Sequence, residues 1–475
     1  MRTCRTALVA LIALFSGLIR AADESIFFPD DRVVNSISKR QVTNILNLVY
    51  QLQDHFVDNR HSLIQQQPSS PNRNPTQAPL LPVIPTTILP TYHPNKHSQS
   101  QLNSHNFDPI TDFAWSLFKG SKISNPIGNL IICPILVQLL LSQIETAAAG
   151  NTKEEISSVI RNVDPRLLSN LVHSIKATRY RNELNLASAI FSARQIRLNN
   201  TFIQESKSRD VGIQAVDFDN TNEALYIINN WISSATKNQI RNLFQPDHLY
   251  GLRVLLTNTM YFRGIWKSFF NDTLFDRFDT TEKLSKGVTF MKKIEKLRGN
   301  EFESIGGVKG TWVELPYEGN EFSMVLILPE VRHSLDYLIR QLTTTDIMNI
   351  IGQLEEPYKR LVHLKIPKFS IQSSFSLTNV LLKMGLVDLF TTQSQLPYFA
   401  NNHEPVTVSD ILQHTVLNVD EYGTVASSAA SVSVVTLSLD GTPRELVFVA
   451  NQPFLSIIVD KRTKVPLFVA KIFDP

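Results

Sequence analysis

Residues 421–440 read EYGTVASSAASVSVVTLSLD, and from Thr424 to Leu439 they hold no charge, proline, glycine or aromatic side chain. Small and β-branched residues make this a competent strand. Gly423 at one end and Asp440-Gly441-Thr442-Pro443 at the other are turn signals. Alternate positions Thr424, Ala426, Ser428, Ala430, Val432 and Val434 suit one buried face, and without proline every N–H is free to join a ladder. Two simpler readings each fit half of it. A permanently buried strand is contradicted by the half nearest Gly423, whose side chains are too small to fill a core. An idle loop is contradicted by the half nearest Asp440, which is apolar enough to be an aggregation hazard. A loop able to become a strand satisfies both halves.

Working outward, the rest of the 475-residue chain divides unevenly. Arg2 and Arg5 precede an apolar run, Ala7 to Leu18, too short to span a bilayer, and Ala21-Ala22 offer small residues for cleavage. Residues 1–21 are therefore expected to be a signal peptide, a short anchor helix being the alternative. Loss of Arg2, Arg5 and Arg20 takes 46 basic residues to 43, against 43 acidic, so the mature chain is near neutral. Nucleic-acid binders carry a basic surplus or stripe, and none is present. Cys4 leaves with the signal, so Cys133 has no partner for an intrachain bridge. A secreted chain without disulfides is held by its core, which argues for one large domain. Residues 22–105 form an extension. Val33 to His61 carries apolar residues at helical spacing, whereas Pro68 to Ser104 is rich in Pro, Gln, Ser, Asn and Thr and is expected to be disordered or polyproline-like.

The pattern is globular from 106 to 475. Phe113, Leu117 and Phe118 mark a helix, Asn129 to Cys133 a short strand, and Pro134 opens a helix expected to run through Ala149 and stop at Gly150. Glu223 to Asn242 reads as a helix with Ile227, Trp231, Ile232 and Ile240 on its apolar face. Strands are expected at Arg253 to Phe262, Phe322 to Pro329, Leu361 to Ile371, Leu446 to Val449, Phe454 to Val459 and Leu467 to Phe473. Helices lead, strands follow, and there is no regular βαβ alternation, so the fold class is α+β on large sheets.

Several short motifs in order resemble the serpin family from Asn106 to the end. They are Ala147-Ala148-Ala149-Gly150-Asn151-Thr152, Asn258 to Gly264 with Trp266 and Phe269, Leu315-Pro316-Tyr317, Leu326 to Pro329, Ile366 to Phe369, Met384-Gly385-Leu386 and Asn451 to Phe454. The resemblance implies the serpin fold: three β-sheets, eight or nine helices and an exposed reactive-centre loop. It implies a loop hinge at Glu421, Gly423, Thr424, Ala426, Ser428 and Ala430, and it places Asn258, Trp266 and His414 where the central sheet opens. Sixteen residues on from Glu421, the reactive bond becomes Leu437–Ser438. The loop is slightly long before Pro453, so a bond one or two residues away stays open. Within the family, the extension and the Leu-Ser bond are most similar to insect haemolymph serpins of the Necrotic type, which implies control of extracellular proteolytic cascades in innate immunity, the Toll pathway among them.

Four departures accompany the resemblance. Val425 stands for a usual glutamate, Cys133-Pro134-Ile135-Leu136 lacks the two hydroxyls of a Ser-Pro-x-Ser element, Thr236-Lys237-Asn238-Gln239-Ile240 lacks the usual glycine, and the loop is long. The implied activity is suicide-substrate inhibition of a serine protease, with Leu437 suiting a chymotrypsin-like or elastase-like pocket. The partner is that protease, held as a covalent acyl complex. The alternative is a non-inhibitory serpin: a carrier, chaperone or storage protein. A hydrolase reading finds no G-x-S-x-G elbow, and His414 reads as a buried structural histidine. Neither catalytic residues, a metal nor a cofactor is expected, the 11 histidines having no ligand spacing. Lys176, Arg179 and Arg181 cluster too weakly to predict a glycosaminoglycan site, and a monomer is expected. Asn199 and Asn271 head glycosylation sequons.

Overall fold

The computed structural model describes residues 108–475 except 125–126, 178–181, 242–243, 246–247, 402–404 and 424–444. The expected signal peptide and extension lie outside the described residues, as do Thr424, Ala426, Ser428, Ala430, Leu437 and Ser438.

Among the described residues fifteen strands make three sheets. The one that matters for function has five strands in the order β11 (Phe369–Ser376), β12 (Asp410–Val419), β4 (Val254–Arg263), β2 (Glu183–Ala193) and β3 (Val211–Val216). β4, VLLTNTMYFR, is buried along nearly its whole length, the continuous apolar and β-branched pattern of a strand covered on both faces. One cover is α2 (Pro134–Glu145), buried on almost every side, with Pro134 pre-setting its first turn. The other is α6 (Thr221–Ala235), whose Trp231 meets Phe191 of β2 edge-on at 5.8 Å.

A six-stranded sheet runs β1 (Leu130–Ile132), β15 (Val465–Ile472), β14 (Phe454–Asp460), β9 (Phe322–Pro329), β8 (Lys309–Pro316) and β7 (Gly299–Glu303). A four-stranded sheet runs β13 (Leu446–Val449), β10 (Arg360–Pro367), β6 (Ser285–Leu297) and β5 (Asp272–Asp279). Nine α-helices are described: α2 and α6 together with α1 (Asp108–Ser124), α3 (Gly150–Val159), α4 (Pro165–Lys176), α5 (Asn200–Ser208), α7 (Leu335–Gln341), α8 (Thr344–Gly352) and α9 (Thr378–Lys383). Three sheets and nine helices are the α+β serpin architecture that the resemblance implies.

Local readings failed in three places. The helix expected through Ala149 ends at Glu145, and Gly150 opens α3 instead of stopping α2. Gly150 has φ +52°, a left-handed conformation that favours glycine, and the preceding Ala149 donates its N–H to Gln395 O at 3.0 Å, so a remote contact sets this turn. The helix expected to reach Asn242 ends at Ala235, because Lys237 and Asn238 turn left-handed at φ 50° and 62°. The single strand expected over Leu361 to Ile371 is two strands in two sheets. Pro367 has no N–H to continue the β10 ladder, and Lys368 donates its own to Thr289 O, outside β11.

Candidate functional site: the seam between two parallel strands

β12 and β4 are adjacent and parallel, paired from Asp410↔Leu255 to Leu417↔Phe262. The chain leaves the upper end of β12 at Val419 and turns through 420–423, where Gly423 bridges Ile265 just beyond the end of β4.

The upper end is heavily tied. Trp266, 1 % exposed, donates its indole N–H to Asp420 O at 2.9 Å and stacks on Tyr317 with centroids 4.5 Å apart. The backbone N–H groups of Trp266 and Phe270 donate to Tyr422 O and Glu421 O at 3.1 and 3.0 Å. Gly423 has φ +117°, and any Cβ there would lie 2.2 Å from Gly264 O, so only glycine fits the turn. Glu421 pairs with Lys368. Burial pushes its carboxyl up, but the Lys368 hydrogen bond and charge outweigh that and hold it below its ordinary value.

The middle of the seam is polar. Asn258 on β4 faces Gln413 on β12, both fully buried, and Gln413 Nε2 donates to Asn258 Oδ1 at 2.6 Å. The same amide donates to Cys133 O at 2.8 Å and accepts from the Cys133 N–H at 2.9 Å, at the start of α2. Sequence reasoning missed Gln413, which stands beside His414 and Thr415 in a strand that also holds Asn418, so nothing local set it apart. On the opposite face His414 lies 2.8 Å from Ser374 Oγ through Nδ1 and edge-on to Phe244 at 5.6 Å. Six buried polar atoms cluster here without a protein partner among the described residues: Ser188 Oγ, Thr257 Oγ1, Asn258 Nδ2, Thr259 Oγ1, His414 Nε2 and Thr415 Oγ1.

Burial lowers His414 to about 3 from its ordinary value of 6.5. Between these values the unfolded chain binds the proton that the native chain refuses. The stability associated with neutral His414 is therefore complete above pH 6.5 and is lost progressively as pH falls toward 3. Intact protein should lose about 1.4 kcal/mol per pH unit from this group in that window. Urea unfolding midpoints at pH 7, 6, 5 and 4 measure it, and His414→Gln should flatten the slope by one proton; an unchanged slope would mean that His414 titrates normally.

Of the sequon residues, Asn199 caps α5 by accepting the Thr201 N–H at 2.8 Å, and Asn271 is exposed just before β5. Among the described residues no group of side chains could hold a metal ion, and no helix is long and apolar enough to cross a membrane.

The family model for Serpin (serine protease inhibitor) matches residues 108–475. The chain is a serpin. It is 28 % identical over 386 residues to Ipis-1 of Ixodes persulcatus, covering 79 % of this chain and 99 % of the tick protein. Among solved structures it superposes on Manduca sexta serpin-12 with a TM-score of 0.67 at 28 % identity, over 77 % of this chain and 98 % of the other. Human thyroxine-binding globulin, complexed with its hormone, superposes with a TM-score of 0.69 at 20 % identity, over 78 % and 98 %, a likeness of fold alone. In this serpin, Cys133 and Leu136 are buried and bring no hydroxyl to the seam, while the Cys133 backbone meets Gln413. At the departure after α6, the Thr236 hydroxyl accepts the Ile240 N–H at 3.2 Å.

Proposed function

We propose that this serpin is a secreted inhibitor that traps serine proteases by inserting its cleaved loop into the five-stranded sheet. The observation that carries the reading is the seam itself. A chain turning back from the top of β12 runs antiparallel to both β12 and β4, so its N–H and C=O groups meet a ladder on each side, in the slightly stronger of the two pairing modes. The paired rows span about 26 Å at 3.3 Å per residue. Thr424 to Leu437 is fourteen residues, about 46 Å when extended, enough to fill the seam and carry Leu437 past its far end.

The chemistry belongs to the target. Its serine hydroxyl, deprotonated by its histidine, attacks the Leu437 carbonyl, the Ser438 amine leaves with a proton, and Leu437 is held as an ester. Insertion then drags the tethered protease and distorts the oxyanion hole that water attack requires. Leu437 selects a chymotrypsin-like or elastase-like pocket. We extend the proposal to an extracellular monomer acting without a glycosaminoglycan, glycosylated at Asn199 and Asn271, in an insect innate-immune cascade of the Toll type. Lys176, the described member of the weak basic cluster, already pairs with Asp210 at 3.1 Å.

Incubation with a chymotrypsin-like protease should give a complex stable in denaturing gels, with a new C-terminus at Leu437. Leu437→Arg should move inhibition to trypsin-like enzymes, with second-order rate constants changing by 100-fold or more in each direction, about 3 kcal/mol at the primary pocket. Wild-type cleavage at another bond would overturn the assignment. The second reading, a non-inhibitory carrier, draws on the fold likeness to thyroxine-binding globulin; the run from Gly423 to Ala430, free of proline and charge, opposes it. Cleavage without any gel-stable complex would favour that carrier.

A further inference from the structure

Lysines are almost never fully buried unless paired, and the Lys471 side chain is 1 % exposed. It is the one charged residue of β15, VPLFVAKI, a strand buried along its whole length. Its ammonium lies 3.0 Å from Asp336 Oδ1 and over the Phe473 ring, 5.0 Å from the centroid. Asp336 does not serve it alone. Lys122, in the last turn of α1 and also buried, lies 3.0 Å from the other carboxylate oxygen, Oδ2. Two ammoniums therefore share one carboxylate. Burial lowers the Lys471 ammonium below its ordinary value, Asp336 raises it, and the Lys122 charge lowers it further. Burial pushes the Asp336 carboxyl up, but the two lysines outweigh that and hold it below its ordinary value.

Lys471 and Asp336 open on a cavity of about 360 Å³ between the turn joining β5 to β6, the segment before α7, and the ends of β14 and β15. Leu335, Pro453 and Phe473 line it with carbon. His333 adds an imidazole whose buried Nδ1 has no protein partner among the described residues. At the rim, the exposed Glu282 and Lys283 offset one another. We propose that this cavity binds a small organic monocarboxylate with an apolar body, its head on Lys471 and its body against Leu335, Pro453 and Phe473. The volume suits a small ligand, and an apolar lining with a few placed polar groups is the usual make-up of such pockets. The bound carboxylate brings the buried charges to two and two, and it offers an acceptor to His333. Inorganic phosphate would meet the ammonium but leave the apolar lining uncovered, and a cationic ligand would face two lysines. None of these residues lies at the seam, so binding does not depend on loop insertion.

Calorimetric titration of the full chain with octanoate and with 2-naphthoate tests the site, the two probes carrying one head on an alkyl and an aryl body. At least one should bind saturably to a single site, and the tighter of the two identifies the body. Octanol and octylamine share the alkyl chain but lack the anion, and should bind about tenfold or more weakly than octanoate, the factor that one charge-assisted hydrogen bond carries. Lys471→Met keeps an unbranched stem and leaves Lys122 and Asp336 as a balanced pair, so the fold should survive. Its affinity for both carboxylates should fall about tenfold or more. Asp336→Asn removes the carboxylate that competes with the ligand and should tighten binding by a similar factor, a gain that mere structural damage does not produce. It also serves alone if Lys471→Met fails to fold. Absence of saturable binding by either carboxylate, octanol binding as tightly as octanoate, unchanged affinity in Lys471→Met, or weaker binding in Asp336→Asn would each overturn the site.

Discussion

Cutting the intact protein after Leu437 should raise its midpoint of thermal unfolding by tens of degrees. The seam explains the direction. Six buried polar atoms of β2, β4 and β12 have no protein partner among the described residues, and an unsatisfied buried group costs about 1–3 kcal/mol. Strand alternation divides them between both faces: Ser188, Asn258 and Thr415 toward α2, Thr257, Thr259 and His414 toward α6. An inserted strand offers serines to each face, Ser428 to one and Ser427, Ser431 and Ser433 to the other. It also exchanges one parallel pairing for two antiparallel ones. On the insertion reading, the uncut loop is held at both ends, and the intact form is then expected to be kinetically trapped. Scanning calorimetry before and after limited proteolysis gives the two midpoints. Coincident curves would show that the loop does not insert, and the non-inhibitory reading would then be the better one.

Replacing Thr424 by arginine should abolish trapping while leaving the Leu437 bond cleavable. The turn from Asp420 to Gly423 is pinned to Trp266 and Phe270, so on the insertion reading residue 424 is the first expected to enter the seam. The mouth there is aromatic: Phe262, Tyr317 and Trp266 are fully buried, with Tyr317 edge-on to Phe262 at 5.0 Å. An unpaired guanidinium among them costs several kcal/mol. Insertion competes with hydrolysis of the acyl-enzyme, and a barrier raised by about 3 kcal/mol slows insertion roughly 100-fold. The ester is then hydrolysed first, and the protein is consumed as a substrate. The number of inhibitor molecules cleaved per protease trapped should rise by one to two orders of magnitude, consistent with that barrier. A wild-type ratio in the variant would rule out insertion as the mechanism.

Much of this molecule was legible in its residues, for identifiable reasons. The strands at 322–329 and 446–449 match their expected bounds because unbroken apolar runs between turn residues depend little on distant partners. Gly150 and the segment from Leu361 to Ile371 were misread because their decisive contacts are remote. The Gln395 carbonyl holds Ala149 beside Gly150, and two different sheets compete for one extended stretch split at Pro367. Gln413 was passed over because nothing local distinguishes a glutamine that bridges two strands from a tolerated polar residue; its partners lie 155 and 280 positions away.

By itself the sequence determined the character of the loop. A run of sixteen residues without proline, glycine, charge or aromatic group is a strand in waiting, since backbone freedom and side-chain size are properties of the residues themselves. Only the tertiary structure decided that two parallel strands lie side by side where the proposed insertion needs them. Residues 410–417 lie beside 255–262 in parallel, with α2 beneath and α6 above. That register arises from long-range packing of buried faces, and local sequence carries no record of it.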